Sequence, residues 1–187
     1  MNYVRGFAPW ICYGALSAFD WRLGMCTAAV VAVLLLLGAR RRGDADLLSA
    51  VTCGFFVVMA AVAVGDPTSG LHRWTGALVN AALAVTALTS LAVGKPFTLA
   101  IARSQVPQEY WNSPRFVHVN TVLTRVWAAA FVGAAVACAV IVGYADSNTA
   151  ALVTAQVLGF VVPLVFSTRY VTHARAAAAA HGAQLAP

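Results

Sequence analysis

The chain has 187 residues, of which 61% are hydrophobic and only 10% charged. A soluble globular domain carries about a quarter charged residues, so the composition excludes a soluble fold. The net charge of +6 does not point to nucleic acid, because the basic residues gather at the ends of apolar runs rather than on a folded basic face. At ~20 residues per membrane span plus short loops, this length suits one helical bundle with no separate soluble domain.

The first apolar run, residues 7–19, follows Arg5 and is shorter than the ~20 residues a span needs. It has the look of a signal-peptide core, with Ala15-Leu16-Ser17 in place of a cleavage site. Against cleavage, Pro9, Trp10 and Tyr13 interrupt it, and a second run begins at Leu23. We read it as a retained short or tilted helix, with an interfacial or cleaved segment as the alternatives.

Five clearer runs follow at residues 23–39, 47–64, 74–93, 117–143 and 150–168. Their patterning is helical rather than alternating, which favours helices over a β-barrel. Between them lie helix-ending and helix-starting signals: Arg42-Gly43-Asp44, Gly65-Asp66-Pro67, Gly94-Lys95-Pro96 and Asp146-Ser147-Asn148. Pro163 should kink the last helix, because it removes one backbone donor and clashes with the preceding turn. The alanine stretch from residue 176 offers no face to bury and reads as a fraying helix end and disordered tail. The expected fold is therefore all-α, a polytopic transmembrane bundle of six helices, the first short, with five full spans as the variant. It forms one domain over residues 1–175, with a tail at 176–187.

Orientation follows from counting. With six spans, Arg5, Arg40, Arg41, Arg42, Lys95, Arg103, Arg115, Arg169 and Arg175 share one side, against Arg22 and Arg73 on the other. The richer side is the cytoplasmic one, in a bacterial inner membrane, with both termini cytoplasmic. If the first run does not span, only the N-terminus changes side.

Polar residues inside spans are costly and are therefore candidates for function. Arg125 stands about eight residues into the fifth run, roughly 12 Å along a helix. His118, Thr121 and Arg125 share a face at spacings of three and four, and Asn120, Thr124 and Trp127 line an adjacent strip. One reading is that the run outreaches the bilayer and Arg125 snorkels to phosphate. The others are a lipid or anionic-ligand site, with Arg115 and Lys95 nearby at headgroup level, and a transport path shared with Asn80. Asn80, Thr86, Thr89, Ser90 and Gln156 can also hydrogen-bond between helices.

Helix association in lipid needs close backbone approach, and small residues spaced by four provide it. Ala129, Gly133 and Ala137 make one such stripe; Ala155 and Gly159 make another. Either can pack within the chain or form a homodimer seam.

The longest connection, residues 95–116, should lie along the cytoplasmic interface as an amphipathic loop. Pro96 and Pro107 suit first helical positions, and Phe97, Tyr110 and Trp111 serve as interfacial anchors or as a partner-docking surface.

Cys12, Cys26, Cys53 and Cys138 fall within apolar runs without CxxC spacing and read as small buried hydrophobes. His72, His118, His173 and His181 share no ligand spacing, so neither a metal nor a cofactor is expected. No nucleophile triad or phosphate-cradling loop occurs, and no enzyme is expected.

Three stretches carry a family resemblance. Arg73-Trp74-Thr75 opens the fourth run after a short loop, Gly94-Lys95-Pro96-Phe97 closes it, and Thr124-Arg125-Val126-Trp127 with Phe131 marks the fifth; Val157-Leu158-Gly159-Phe160 adds to them in the last. In this order the chain resembles the intracellular septation protein A family, small inner-membrane proteins of envelope maintenance. It departs from that pattern at its start, where Gly6-Phe7-Ala8-Pro9 replaces an acidic segment. The resemblance implies a non-enzymatic membrane protein that acts through partners in the division or wall-synthesis machinery, with no catalytic residues to assign.

Overall fold

A computed structural model describes residues 2–184, apart from residues 18, 44–46, 67, 104 and 145–147. Among the described residues seven helices follow one another, α1 (Asn2–Leu16), α2 (Trp21–Arg42), α3 (Leu47–Gly65), α4 (Leu71–Ala92), α5 (Thr98–Arg103), α6 (Pro114–Tyr144) and α7 (Thr149–Gln184), with a 3-10 turn at Gln108–Tyr110. Among the described residues there is no strand.

Local chemistry sets the helix ends. Asp20, in extended backbone, accepts the Leu23 N–H at 2.8 Å and starts α2. Gly43, at φ 74°, ends it in the left-handed region, its N–H turned back to the carbonyls of Ala39 and Arg40. Arg40, Arg41 and Arg42 fill that last turn, where the helix dipole favours cations. Ser113 caps α6 by accepting the Phe116 N–H at 3.2 Å, with Pro114 as the first helical residue. Asn148 does the same for α7 through the Ala151 N–H at 3.1 Å.

Among the described residues, five helices are long and apolar enough to cross a membrane: α2, α3, α4, α6 and the Thr149–Ala174 part of α7. The chain is thus a multi-pass membrane protein. The first run is a helix but not one of these five. Its 15 residues reach only ~22 Å, against a hydrocarbon core of ~30 Å. It packs mainly on α2. Trp10 and Tyr13 lie against Phe56, with ring centroids at 4.6 and 6.0 Å. The turn from α1 into α2 is tight: a Cβ on Gly24 would sit 2.9 Å from the Ser17 nitrogen.

The bundle has two packing centres. Trp21, Met25, Ala28, Ala29 and Ala32 of α2 meet Cys53, Phe56, Met59 and Ala63 of α3. Ala84 and Ala87 of α4 meet Trp127, Ala128 and Phe131 of α6. The first centre joins the second through α3 and α4, with Leu78 of α4 packed on the first cluster. Lipid offers no hydrophobic drive for such contacts, so their stability comes from close packing and dispersion. Large exposed side chains, among them Val30, Leu34, Val58, Val85 and Val136, cover the outside, as expected where the surroundings are acyl chains.

The last helix is least enclosed. It touches α6 along one stripe, where Gly159 meets Ala134 and the fully buried Pro163 lies one turn on. The helix continues through Pro163 and on to Gln184. The segment read from sequence as a tail is therefore helical from residue 176 onward, as its alanines favour, while residues 185–187, with Asp44, Asp46 and Asp146, lie outside the described residues.

Short connections make successive spans antiparallel. One end of the bundle carries Asp20, Arg22, Asp66 and Arg73; the other carries Arg40, Arg41, Arg42, Lys95, Arg103, Arg115 and Arg169.

Candidate functional site

At the basic end, residues 95–116 carry the short helix α5 and the 3-10 turn. They fold into a strap across the ends of α4 and α6. Gly94, at φ 71°, turns the chain out of α4, and the Lys95 N–H returns to the Ser90 carbonyl at 2.9 Å. The buried Ser90 hydroxyl donates to the Ala87 carbonyl at 2.7 Å and accepts the Phe97 N–H at 3.1 Å. This holds Phe97 against the cluster of Ala84, Ala87, Trp127, Ala128 and Phe131. Thr98 then plugs into α6. Its hydroxyl donates to the Asn120 carbonyl at 2.9 Å and pairs with the Thr124 hydroxyl at 2.9 Å.

The distal half of the strap is ordered by its own contacts. The Trp111 indole N–H donates to the Val106 carbonyl at 2.9 Å, and the Arg103 guanidinium stands 5.3 Å from the Trp111 ring centre, a cation–π contact. Tyr110 is 53% exposed. Pro107 lies just before the 3-10 turn rather than inside a helix, and Pro96 lies two residues before α5; Pro114 alone takes a first helical position.

Of the interface candidates, Phe97 is thus a packing residue, Trp111 is half-buried within the strap, and Tyr110 is open. On α6 the polar strip that packs inward is Asn120, Thr124 and Trp127, all buried. The face carrying His118 and Arg125 is exposed, and Thr121 is half-buried with its hydroxyl donated to the Val117 carbonyl at 2.9 Å. Ala129 and Gly133 share that outer face, Ala137 is half-buried, and a Cβ on Gly133 would meet nothing within 4 Å. The stripe that packs between helices is the other one, on α7. The physical reason is that aromatic and amide side chains at positions 120, 127 and 131 claim the inward arc of α6, leaving the small residues outside.

Register explains the position of Arg125. Gly76 of α4 lies opposite Cys138 of α6, and the two helices run antiparallel. Arg125 is therefore about one turn inside the basic end of α4. Among the described residues it makes no hydrogen bond or ion pair. Arg115 and Lys95 are exposed at the same end, with the Arg115 guanidinium donating to the Ala174 carbonyl at 2.8 Å, which ties α6 to α7. A second tie joins the Trp127 indole N–H to the Ser167 hydroxyl at 3.1 Å.

Asn80 lies buried in α4, its amide donating to the Gly76 carbonyl at 2.9 Å. The structure does not bring it together with Arg125, and neither lines the depression at either end of the bundle. One, of about 210 Å³, follows Thr168, Arg169, Thr172 and His173 on α7. The other, of about 560 Å³, lies at the opposite end between Arg73, Trp74 and Gly143. Among the described residues no three His, Cys, Asp or Glu side chains converge as metal ligands would. No protein-family model, curated protein or solved structure matches the chain.

Sequence reading did not single out Thr98. An isolated threonine after Pro96-Phe97 carries no periodic signal, and its role exists only because the strap folds back onto α6.

Proposed function

We propose that this multi-pass protein is a non-enzymatic scaffold of the bacterial inner membrane that engages partners in envelope maintenance or septation through the outer face of its strap. The carrying observation is that the buried Asn80, Thr86, Ser90 and Thr124 are hydrogen-bonded within the bundle while the strap is built as an ordered platform. Asn80, Thr86 and Ser90 each donate to carbonyls of their own helix, and Thr98 to one of α6. Asn80 thus donates within its own helix while Arg125 stands on the exposed face of α6, which speaks against their sharing a path of the kind a small transporter or channel needs. Arg103, Gln108, Glu109 and Tyr110 face outward from the platform. The resemblance to the intracellular septation protein A family supports the envelope role, and the arginine-rich end supports a cytoplasmic strap and C-terminus.

A photo-crosslinking residue placed at Tyr110 in living cells should give discrete protein adducts that the same residue at Ser69, at the other end, does not. Equal patterns from both positions overturn the scaffold reading. So does solute flux through purified protein in liposomes that Arg125→Ala abolishes, which would establish the transport path instead.

A further inference from the structure

The depression at the end opposite the strap is lined by Ser69, Gly70, Leu71, Arg73 and Trp74, from the start of α4, and by Val142 and Gly143, from the end of α6. Two features separate it from ordinary helix ends. First, Arg73 is exposed at the end of the bundle that carries few basic residues, so the charge bias that sets orientation does not account for it. Second, the walls are amphiphilic. Leu71 and Trp74, 39% and 38% exposed, supply apolar surface beside the guanidinium and the Ser69 hydroxyl, with the buried Val142 beneath them. Gly143 completes the floor, and a side chain added there would project into open space, its Cβ meeting nothing within 4 Å. Both α4 and α6 are membrane-crossing helices, so their adjoining ends stand where phosphate groups of lipids reside.

We infer that the Arg73 depression binds the phosphate of an anionic phospholipid headgroup in the outer-facing leaflet, with Leu71, Trp74 and Val142 against the glycerol and upper acyl chain. Arg73 offers a planar fork of donors matched to phosphate oxygens, and an aromatic ring at headgroup depth positions the lipid. A free phosphate ion would use the same guanidinium but not the apolar walls.

The test uses the full chain in detergent with added phosphatidylglycerol or phosphatidylcholine, read by native mass spectrometry for retained lipid. The wild type should retain phosphatidylglycerol over phosphatidylcholine. Arg73→Gln should lower that retention about tenfold. Gly143→Leu, which fills the floor without altering charge, should lower it comparably. Arg22→Gln removes the same charge from the same end outside the depression and should change retention by less than about twofold. Unchanged retention in Arg73→Gln, or equal losses in Arg73→Gln and Arg22→Gln, overturns the site. Full retention in Gly143→Leu overturns the depression as its location. Displacement by millimolar inorganic phosphate, with no preference between the two lipids, assigns the phosphate chemistry to the free ion and overturns the lipid.

Discussion

Gly159 of α7 meets Ala134 of α6 so closely that a Cβ on the glycine would sit 2.7 Å from the Cβ of the alanine. No side chain fits at such a separation without moving a helix. The last span, which is otherwise poorly enclosed, is held to the bundle by this approach together with the Trp127–Ser167 and Arg115–Ala174 hydrogen bonds.

Gly159→Leu is therefore expected to destabilise the protein by about 1–3 kcal/mol, the ordinary cost of overpacking a close contact. Gly133→Leu, at a position open on the outer face, should leave monomer stability within ~0.5 kcal/mol. Thermal unfolding of both variants in one detergent measures the difference. A homodimer seated on the Ala129 and Gly133 face would show itself as a loss of dimer mass in Gly133→Leu, read by light scattering.

Thr98→Val keeps the shape of the side chain and removes its hydrogen bonds to Asn120 and Thr124. The expected cost is about 1–2 kcal/mol, because the buried partners lose a donor and no water replaces it. Hydrogen exchange should rise across residues 97–112 while the spans keep their protection. Uniform loss of protection throughout the chain would mean that the strap is not a separate cooperative unit.

Gly24→Val places a branched side chain where even a Cβ would come within 2.9 Å of the Ser17 backbone. The turn between α1 and α2 should open, at a cost of about 1–3 kcal/mol. A thiol reagent that reaches Cys12, half-buried in the native packing, should label it faster in this variant than in the wild type. Labelling at an unchanged rate would show that α1 docks independently of the turn.

Arg125→Leu should fold normally. Arg125 is exposed about one turn from the basic end of α4, and its removal breaks no hydrogen bond among the described residues. Stability in detergent should stay within ~0.5 kcal/mol of wild type. A loss of several kcal/mol would mean that Arg125 answers a buried partner instead of a headgroup.

The sequence by itself determined the class of the protein and the positions of its spans. Runs at residues 23–39, 47–64, 117–143 and 150–168 each fall within one long helix, and the run at 74–93 overruns its helix by the capping Val93 alone, because hydropathy and capping act locally and a stretch of that composition satisfies its backbone as helix in lipid. The basic asymmetry of the two ends was legible for the same reason. Tertiary structure decided which faces meet. Spacing by four described both small-residue stripes equally well, and only packing shows that Gly159 seats on α6 while Ala129 and Gly133 look outward. It also turned Phe97 and Thr98 from loop residues into the anchors of a strap, and separated Asn80 from Arg125. Such choices depend on which side chains compete for the interior of the bundle, a property of several helices at once that no single stretch of sequence contains.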